Sequence, residues 1–193
     1  MRDVQRQMTG ATPPRVSGPA LTWPVRESFL AYVNRTGGRI TIVEPAYPGA
    51  RGFAFPHAPA AGHTSGGGPA PDSGARRTGE LAFTGGVAFS AHGGALDITL
   101  AEPVLVLDDQ GALLTVADPA RPGHGIRAVI AVLAGHPHAG TRETAALVPL
   151  LTEDGSALFG DVYPPGDAMD PLFVPGSLLA TVSGPITGLD EYR

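Results

Sequence analysis

The sequence contains no cysteine and no lysine, and basic charge is scarce. Without cysteine the chain has no disulfides, thiolate zinc sites, iron–sulfur clusters or cysteine nucleophiles. The 13 basic residues are all arginine and the formal net charge is −5, which argues against a protein that holds nucleic-acid phosphates. Apolar runs long enough for a membrane span or a secretion signal are also missing, so we expect a cytoplasmic protein.

A chain of 193 residues predicts a single domain, and its 27 glycines and 20 prolines predict long turns. Residues 1–19 are polar and proline-rich, which is typical of a flexible tail. The domain is expected over residues 20–176. Residues 177–193 are expected to form a second tail, although "SLLATV" in this stretch would also suit an edge strand.

One short helix is predicted in "LTWPVRESFLAYV", residues 21–33. Thr22 would be its N-cap and Pro24 would lie in the first turn, where a missing N–H costs nothing. Gly37 and Gly38 allow the chain to leave the helix abruptly. The tract from Ala46 to Thr78, by contrast, has too much glycine and proline for a long regular element, so a loop is expected there.

The rest of the sequence favours antiparallel β-structure. "RITIVEP" alternates apolar and polar residues, and residues 79–118 form apolar runs separated by glycine-rich turns, which is typical of a meander. "RAVIAVLAG", "ALVPLL" and "LFV" add further strands. The fold class expected is therefore mainly β, an antiparallel sandwich-like domain or open barrel with one or two short helices.

Tyr32 raises the first question about function. Val25, Phe29 and Tyr32 follow the spacing of one helix face, which predicts a phenol that points inward. A buried phenol normally needs a hydrogen-bonding partner. Tyr32 is therefore either ordinary packing or a group held ready for a ligand.

Two other residues stand at positions where the backbone aims the side chain. His92 ends the alternating run "VAFSAH" just before two glycines, and Tyr163 precedes Pro164 and Pro165, which fix the local backbone. The ordinary alternatives are an exposed turn histidine for His92 and a rim residue covering the core for Tyr163.

Other chemical motifs are weak. The histidine pairs, His57 with His63 and His136 with His138, lack zinc-site spacing and acidic or cysteine partners. Asp167 and Asp170 lie in a turn, where aspartate is favoured for local hydrogen bonding. Nucleophile-elbow, dinucleotide and phosphate-loop motifs are missing from the sequence.

Three segments together resemble a known family. "LTWPVRESFLAYV", "GELAFTGGVAFSAHGGALDITLAEPVLVL" and "LFGDVYPPGDAMDPLFV" are similar, in this order, to the three characteristic blocks of HtaA-type haem-binding domains of actinobacterial cell surfaces. The likeness spans residues 20–176. It implies that Tyr32 is the axial ligand of ferric haem b, that His92 hydrogen-bonds to Tyr32, and that Tyr163 also contributes to haem binding. Val25 and Phe29 would then pack near the macrocycle.

The resemblance implies a non-enzymatic protein that holds or transfers haem, and the partners it suggests are haem, another haem-carrying protein and a second copy of the chain. Members of the family usually carry an export signal or anchor, and the expected cytoplasmic location departs from that pattern. Two other readings stay open: a haem enzyme, such as a peroxidase or a haem-degrading protein, and a cofactor-free β-domain for protein interaction.

Overall fold

The computed structural model of the protein describes residues 18–58, 79–108, 111–121, 125–136 and 144–182, and they form a mainly antiparallel β-fold. The strands are β1 (Ala20–Trp23), β2 (Arg39–Val43), β3 (Tyr47–Gly49), β4 (Gly52–Pro56), β5 (Gly79–Ala82), β6 (Gly86–Ala91), β7 (Leu96–Ala101), β8 (Val104–Asp108), β9 (Gly111–Ala117), β10 (Arg127–His136), β11 (Thr144–Leu151) and β12 (Leu172–Pro175). The helices are α1 (Glu27–Arg35), α2 (Glu153–Leu158) and α3 (Gly176–Val182), and His92–Gly94 form a 3₁₀ turn. The expected fold class is confirmed, with one helix more than predicted.

Two sheets make up the β-structure. The larger has nine strands in the order β3-β4-β1-β12-β11-β10-β9-β8-β5, and the smaller has three in the order β2-β6-β7. Every pairing between strands is antiparallel. Helix α1 joins the two sheets in sequence, because it follows β1 of the large sheet and precedes β2 of the small one.

Alternating residues of both sheets supply one continuous core. In β6, Val87 and Phe89 are fully buried and face Leu100 and Ile98 of β7 across the ladder. The large sheet contributes fully buried residues such as Leu114, as the period of two in a strand requires. Val87 and Phe89 thus lie on the buried face of β6.

An aromatic row runs through this core. Ring centroids are 6.0 Å apart for Phe53 and Phe89, 5.0 Å for Phe89 and Phe29, 5.4 Å for Phe29 and Phe159, and 6.2 Å for Phe159 and Tyr163. All four pairs are edge-to-face, an arrangement that aromatic quadrupoles favour. The row connects both sheets with the segment that carries Tyr163.

The beginning of the first helix differs from the prediction. Thr22 is not an N-cap but lies in β1, where it pairs with Ala54 of β4 and Phe173 of β12. The helix begins only at Glu27 because Val25 has a left-handed backbone, with φ 68°. The predicted end is correct, since Gly37 adopts φ 68° directly after the C-cap.

Three other expectations were wrong in part. The tract 46–78 was expected to be a loop, but β3 and β4 form a hairpin within it, because β4 finds a partner in β1; residues 59–78 lie outside the described part. The stretch 79–118 is no single meander, because β6 and β7 belong to the small sheet while β5 pairs with β8 in the large one. Of residues 177–193, expected to be a tail or an edge strand, residues 177–182 belong to α3 and Leu178 packs into the core, while residues 183–193 lie outside the described part.

Helix α2 lies directly against β10 and leads into the segment with Tyr163. Gly155 makes this contact possible, because a Cβ there would lie only 2.0 Å from the carbonyl oxygen of Ile130. Thr152 caps the helix by accepting a hydrogen bond from the Gly155 N–H at 3.1 Å. None of the helices in the described ranges is long and apolar enough to cross a membrane.

Candidate functional site

Tyr32 lies in the last part of α1, on its edge rather than on its buried face. The residues of α1 that are buried are Phe29 and Val33, while Tyr32 is half-buried. The prediction of an inward-pointing phenol is therefore only partly right: the ring packs against the core, but its hydroxyl reaches an exposed surface.

His92 lies at the end of β6, where the strand turns. Its backbone adopts φ 53°, and Gly93 and Gly94 follow with φ 66° and 100°. The left-handed region is uncommon for a residue other than glycine, so this turn fixes the direction of the imidazole at a conformational cost. The predicted place of His92, at a strand end before a tight turn, is confirmed.

The structure brings Tyr32 and His92 together although 60 residues separate them in sequence. The Tyr32 Oη and the His92 Nε2 are 2.7 Å apart, a hydrogen-bond distance, and the contact is exposed. Which atom donates depends on the tautomer of the ring. Among the residues that the structure describes, the hydroxyl has no other hydrogen-bond partner, so an oxygen lone pair is left for a further ligand.

Positive charge borders this pair. The guanidinium carbon of Arg35, three residues after Tyr32 in α1, lies 6.0 Å from the centroid of the Tyr32 ring. Arg35 is exposed, and a cation at this place attracts anionic groups toward the phenol.

Val25 and Phe29 lie behind the pair rather than beside it. Their exposed fractions are 0% and 3%, so neither presents surface to a ligand in this structure. Phe29 packs edge-to-face against Phe89, the third residue before His92. This contact holds α1 against β6, and so keeps the two site residues in register.

Tyr163 lies at the other end of α1. The guanidinium carbon of Arg26 sits 4.0 Å from the centroid of its ring, within the range of a cation–π contact. Arg26 also forms an ion pair with Asp167, at 3.1 Å. Because Arg26 and Tyr32 are six residues apart, about 9 Å of helix rise separates the ends at which the two tyrosines lie.

Asp167 and Asp170, predicted to serve local turns, make contacts with α1 instead. Asp170 accepts a hydrogen bond from the backbone N–H of Glu27 at 2.8 Å. Its own backbone N–H donates to the carbonyl of Val25, and its carbonyl accepts from the indole N–H of Trp23, both at 3.0 Å. The segment with Tyr163 is thus joined to the start of α1.

The other polar candidates are not part of this arrangement. His57 is half-buried and packs against Phe83 on the large sheet. His63 and His138 lie outside the described residues, as does the side chain of His136. Over the described ranges, no group of three or more histidine or acidic residues is placed to hold a metal ion.

Comparison with known proteins identifies the family. The HtaA family model, described as Htaa, matches residues 18–174. The chain belongs to the HtaA family. The match covers both Tyr32 and His92 as well as Tyr163, so all three candidate residues lie within the HtaA domain.

Solved structures show the same fold for HtaA domains. The chain is similar to the N-terminal domain of HtaA from Corynebacterium glutamicum, with 23% identity and a TM-score of 0.57 over 82% of this chain and 97% of that one. For the C-terminal domain of HtaA the identity is 21% and the TM-score 0.56, over 81% and 94%. Heme binding protein HtaB from Corynebacterium glutamicum gives 20% identity and a TM-score of 0.59, over 81% and 90%. Among curated proteins nothing matches the chain significantly.

Sequence reasoning missed three residues of this HtaA domain that hold its site segments together, namely Arg26, Asp167 and Asp170. Arg26 gave no signal in the sequence, because Thr22 was expected to be the N-cap and only the structure shows that Arg26 stands there without a side-chain capping bond. The two aspartates gave no such signal, since a "GDAMD" turn explains them locally.

Proposed function

We propose that this protein binds ferric haem b, with the Tyr32 phenolate as axial ligand of the iron and His92 as its hydrogen-bonding partner. The observation that carries the proposal is the 2.7 Å contact between the Tyr32 Oη and the His92 Nε2 at an exposed surface. Membership of the HtaA family supports it, as does the fold shared with heme binding protein HtaB.

The residues fit the group. A phenolate is a hard, anionic oxygen donor that suits ferric iron, and tyrosine is an established haem ligand. When bound, the iron supplies a Lewis-acidic centre for this oxygen. A hydrogen bond from imidazole to a metal-bound oxygen orients it and adjusts its donor strength, which is the role we assign to His92.

The other candidate residues take supporting roles in this proposal. Tyr163, half-buried at the start of α1, contributes a second contact to the ligand. Val25 and Phe29 act from the core by holding α1 in place next to the macrocycle. Arg35 offers a cation to the carboxylates that haem carries.

The function proposed is to hold haem or to pass it to another haem-carrying protein, without catalysis. An exposed ligand pair suits transfer, because a partner can approach the iron ligand without unfolding the domain. Slow peroxide turnover by the haem-loaded protein is expected, at the rate of free hemin. Fast turnover would instead favour the enzyme reading.

Titration with hemin tests the proposal. Wild-type protein should give a ferric, tyrosinate-type spectrum, which Tyr32→Phe should lose because the substitution removes only the coordinating oxygen. Tyr47→Phe is a matched control, since Tyr47 is also half-buried but lies on β3 of the large sheet. An unchanged spectrum in Tyr32→Phe would refute the ligand assignment.

His92→Ala should bind hemin more weakly, by about tenfold, the usual cost of removing the partner of a metal ligand. His57→Ala is its control, because this half-buried histidine packs on the large sheet. Equal losses in the two variants would contradict the role of His92.

A further inference from the structure

Helix α1 lacks a cap of its own. Its N-cap residue is Arg26, whose side chain makes no capping hydrogen bond, whereas Ser, Thr, Asp or Asn normally stands there. The missing acceptor comes from Asp170, 143 residues further along the chain, whose Oδ2 lies 2.8 Å from the Glu27 N. Helix α1 is therefore capped only while the segment with Asp170 is docked against it.

The same segment makes three other contacts with the start of α1. We call residues 161–170 the clamp segment. Its Tyr163 ring stacks on Arg26 at 4.0 Å, its Asp167 pairs with Arg26 at 3.1 Å, and the Asp170 N–H donates to the Val25 carbonyl at 3.0 Å. These contacts fix both the direction of the Tyr163 ring and the position of the first turn of α1.

The clamp segment is also fastened to the large sheet. The N–H of Gly166 donates to the carbonyl of Leu151 at 2.7 Å, and the N–H of Met169 donates to that of Pro149 at 2.8 Å. Both acceptors belong to β11. The clamp segment therefore links the large sheet to α1, the helix that carries Tyr32.

We infer that Arg26 and Asp170 are positioning residues that lock the clamp segment to α1, so that Tyr163 and Tyr32 meet the ligand as one rigid unit. The inference rests on the proposed function for the identity of the ligand. The link itself consists of contacts within the chain. An isolated helix of nine residues is marginal in water, so α1 depends on contacts of this kind.

The contacts made by Asp167, Asp170 and Arg26 are expected to differ in how strongly they hold the clamp segment to α1. The ion pair of Arg26 with Asp167 is partly exposed, 25% and 39% for the two side chains, and exposed pairs contribute little. The Asp170 cap satisfies a backbone donor that otherwise has no partner within the helix. Asp170 should therefore matter more than Asp167, and Arg26 should act mainly through the ring of Tyr163.

Amide hydrogen exchange of the ligand-free protein tests the link without haem. In Asp170→Ala the amides of Leu30 in α1 and of its C-cap Thr36, which bond to helix carbonyls, should exchange about fivefold faster, the factor that corresponds to the loss of one helix cap. Asp170→Asn keeps an acceptor and should restore wild-type exchange. Exchange that quickens at Glu27 alone would overturn the inference, because the helix would then not move as a unit.

Hemin dissociation tests the consequence for the site. Asp170→Ala should release hemin about fivefold faster and weaken the tyrosinate absorption, and Asp170→Asn should behave like wild type. Asp154→Ala is the matched control, an equal loss of charge at an exposed position in the first turn of α2. Equal acceleration in Asp154→Ala, or wild-type release from Asp170→Ala, would overturn the inference.

A double-mutant cycle provides a second route if Asp170→Ala does not fold. Arg26→Gln should accelerate hemin release in the wild type but add nothing in a Tyr163→Leu background, because Arg26 acts through that ring. Additive effects would overturn the assignment. If wild-type protein takes up no hemin, the proposed function fails, while the exchange experiment still decides whether the link exists.

Discussion

The small sheet with α1 and the large sheet are built in different ways. The large sheet is a ladder of nine strands whose inward residues, such as Leu105 and Leu114, are fully buried. The small sheet has three strands and carries His92 at an exposed turn, where it contacts Tyr32 of α1. The N-terminus of α1 is capped by Asp170, from a distant part of the chain. Both sheets are regular antiparallel ladders, whereas α1 is held by single long-range contacts.

Unusual backbone conformations are concentrated near the candidate site residues. Four residues other than glycine have a positive φ in the described ranges: Val25, His92, Glu102 and Asp161. Two of them are candidate site residues, and Asp161 precedes Tyr163 by two positions. None lies in a strand of either sheet. Strained conformations persist where surrounding structure imposes them, and they cluster at functional sites.

From this comparison we predict that stability and ligand binding are largely separable in this fold. The large sheet should set the free energy of unfolding, while the small sheet and α1 should set the affinity for haem. Residues that contact both regions should affect both the free energy of unfolding and the affinity for haem.

Phe29→Ala should have the largest effect, because its ring connects the two regions. It lies 5.0 Å from Phe89 and 5.4 Å from Phe159 between ring centroids, and is 3% exposed. Its loss should destabilise the protein by about 3–5 kcal/mol, measured by urea unfolding, and should also weaken hemin binding. A decrease of less than about 1 kcal/mol in the free energy of unfolding would mean that Phe29 does not connect the two regions.

Leu114→Ala should lower the free energy of unfolding by about 2–5 kcal/mol. The side chain is fully buried, and Leu114 of β9 pairs directly with Leu105 of the neighbouring strand β8. Hemin affinity of the folded protein should stay at the wild-type value, since Leu114 has no described contact with the site. A hemin affinity that falls together with the free energy of unfolding would show that stability and ligand binding are not separable.

Thr152→Ala should cost about 1 kcal/mol, as the loss of a local N-cap usually does. Thr152 caps α2 from within its own turn, in contrast to the remote cap of α1. Thermal unfolding should show the loss, while the rate of hemin release should not change. The pair Thr152→Ala and Asp170→Ala therefore compares a cap that matters for stability alone with one that also matters for the site.

His92→Gly and Glu102→Gly should have the smallest effects on stability, within about 1 kcal/mol and toward stabilisation. Both residues have a left-handed backbone, φ 53° and 49°, which glycine adopts without strain. Only His92→Gly should weaken hemin binding, because only His92 contacts Tyr32. Equal hemin affinity in the two variants would show that His92 is an ordinary turn residue.

Local sequence patterns predicted much of the fold. The alternating run "VAFSAH" indicated the strand β6, and the glycines after it placed His92 at a turn. Gly37 marked the end of α1 correctly. Each of these features depends on neighbours in sequence, so the sequence was sufficient to find them.

Features that depend on distant partners were missed. Thr22 looked like a helix cap, but strand pairing with β4 and β12 decides its conformation. "SLLATV" suits a strand by composition, yet Leu178 makes it a helix that packs on the core. The 2.7 Å contact of Tyr32 with His92 has no local signature either, and only the family resemblance suggested it. The sequence pattern singled out Tyr32 and His92 as candidates, but it did not indicate that they are in contact.

The indole of Trp23 is hydrogen-bonded to the carbonyl of Asp170, at the point where the clamp segment meets the start of α1. It is the sole tryptophan of the chain, and it is 1% exposed. Its fluorescence emission is therefore an intrinsic reporter of this junction. Undocking would shift the emission to longer wavelength, and a porphyrin nearby would quench it, so both events can be followed optically in unlabelled protein.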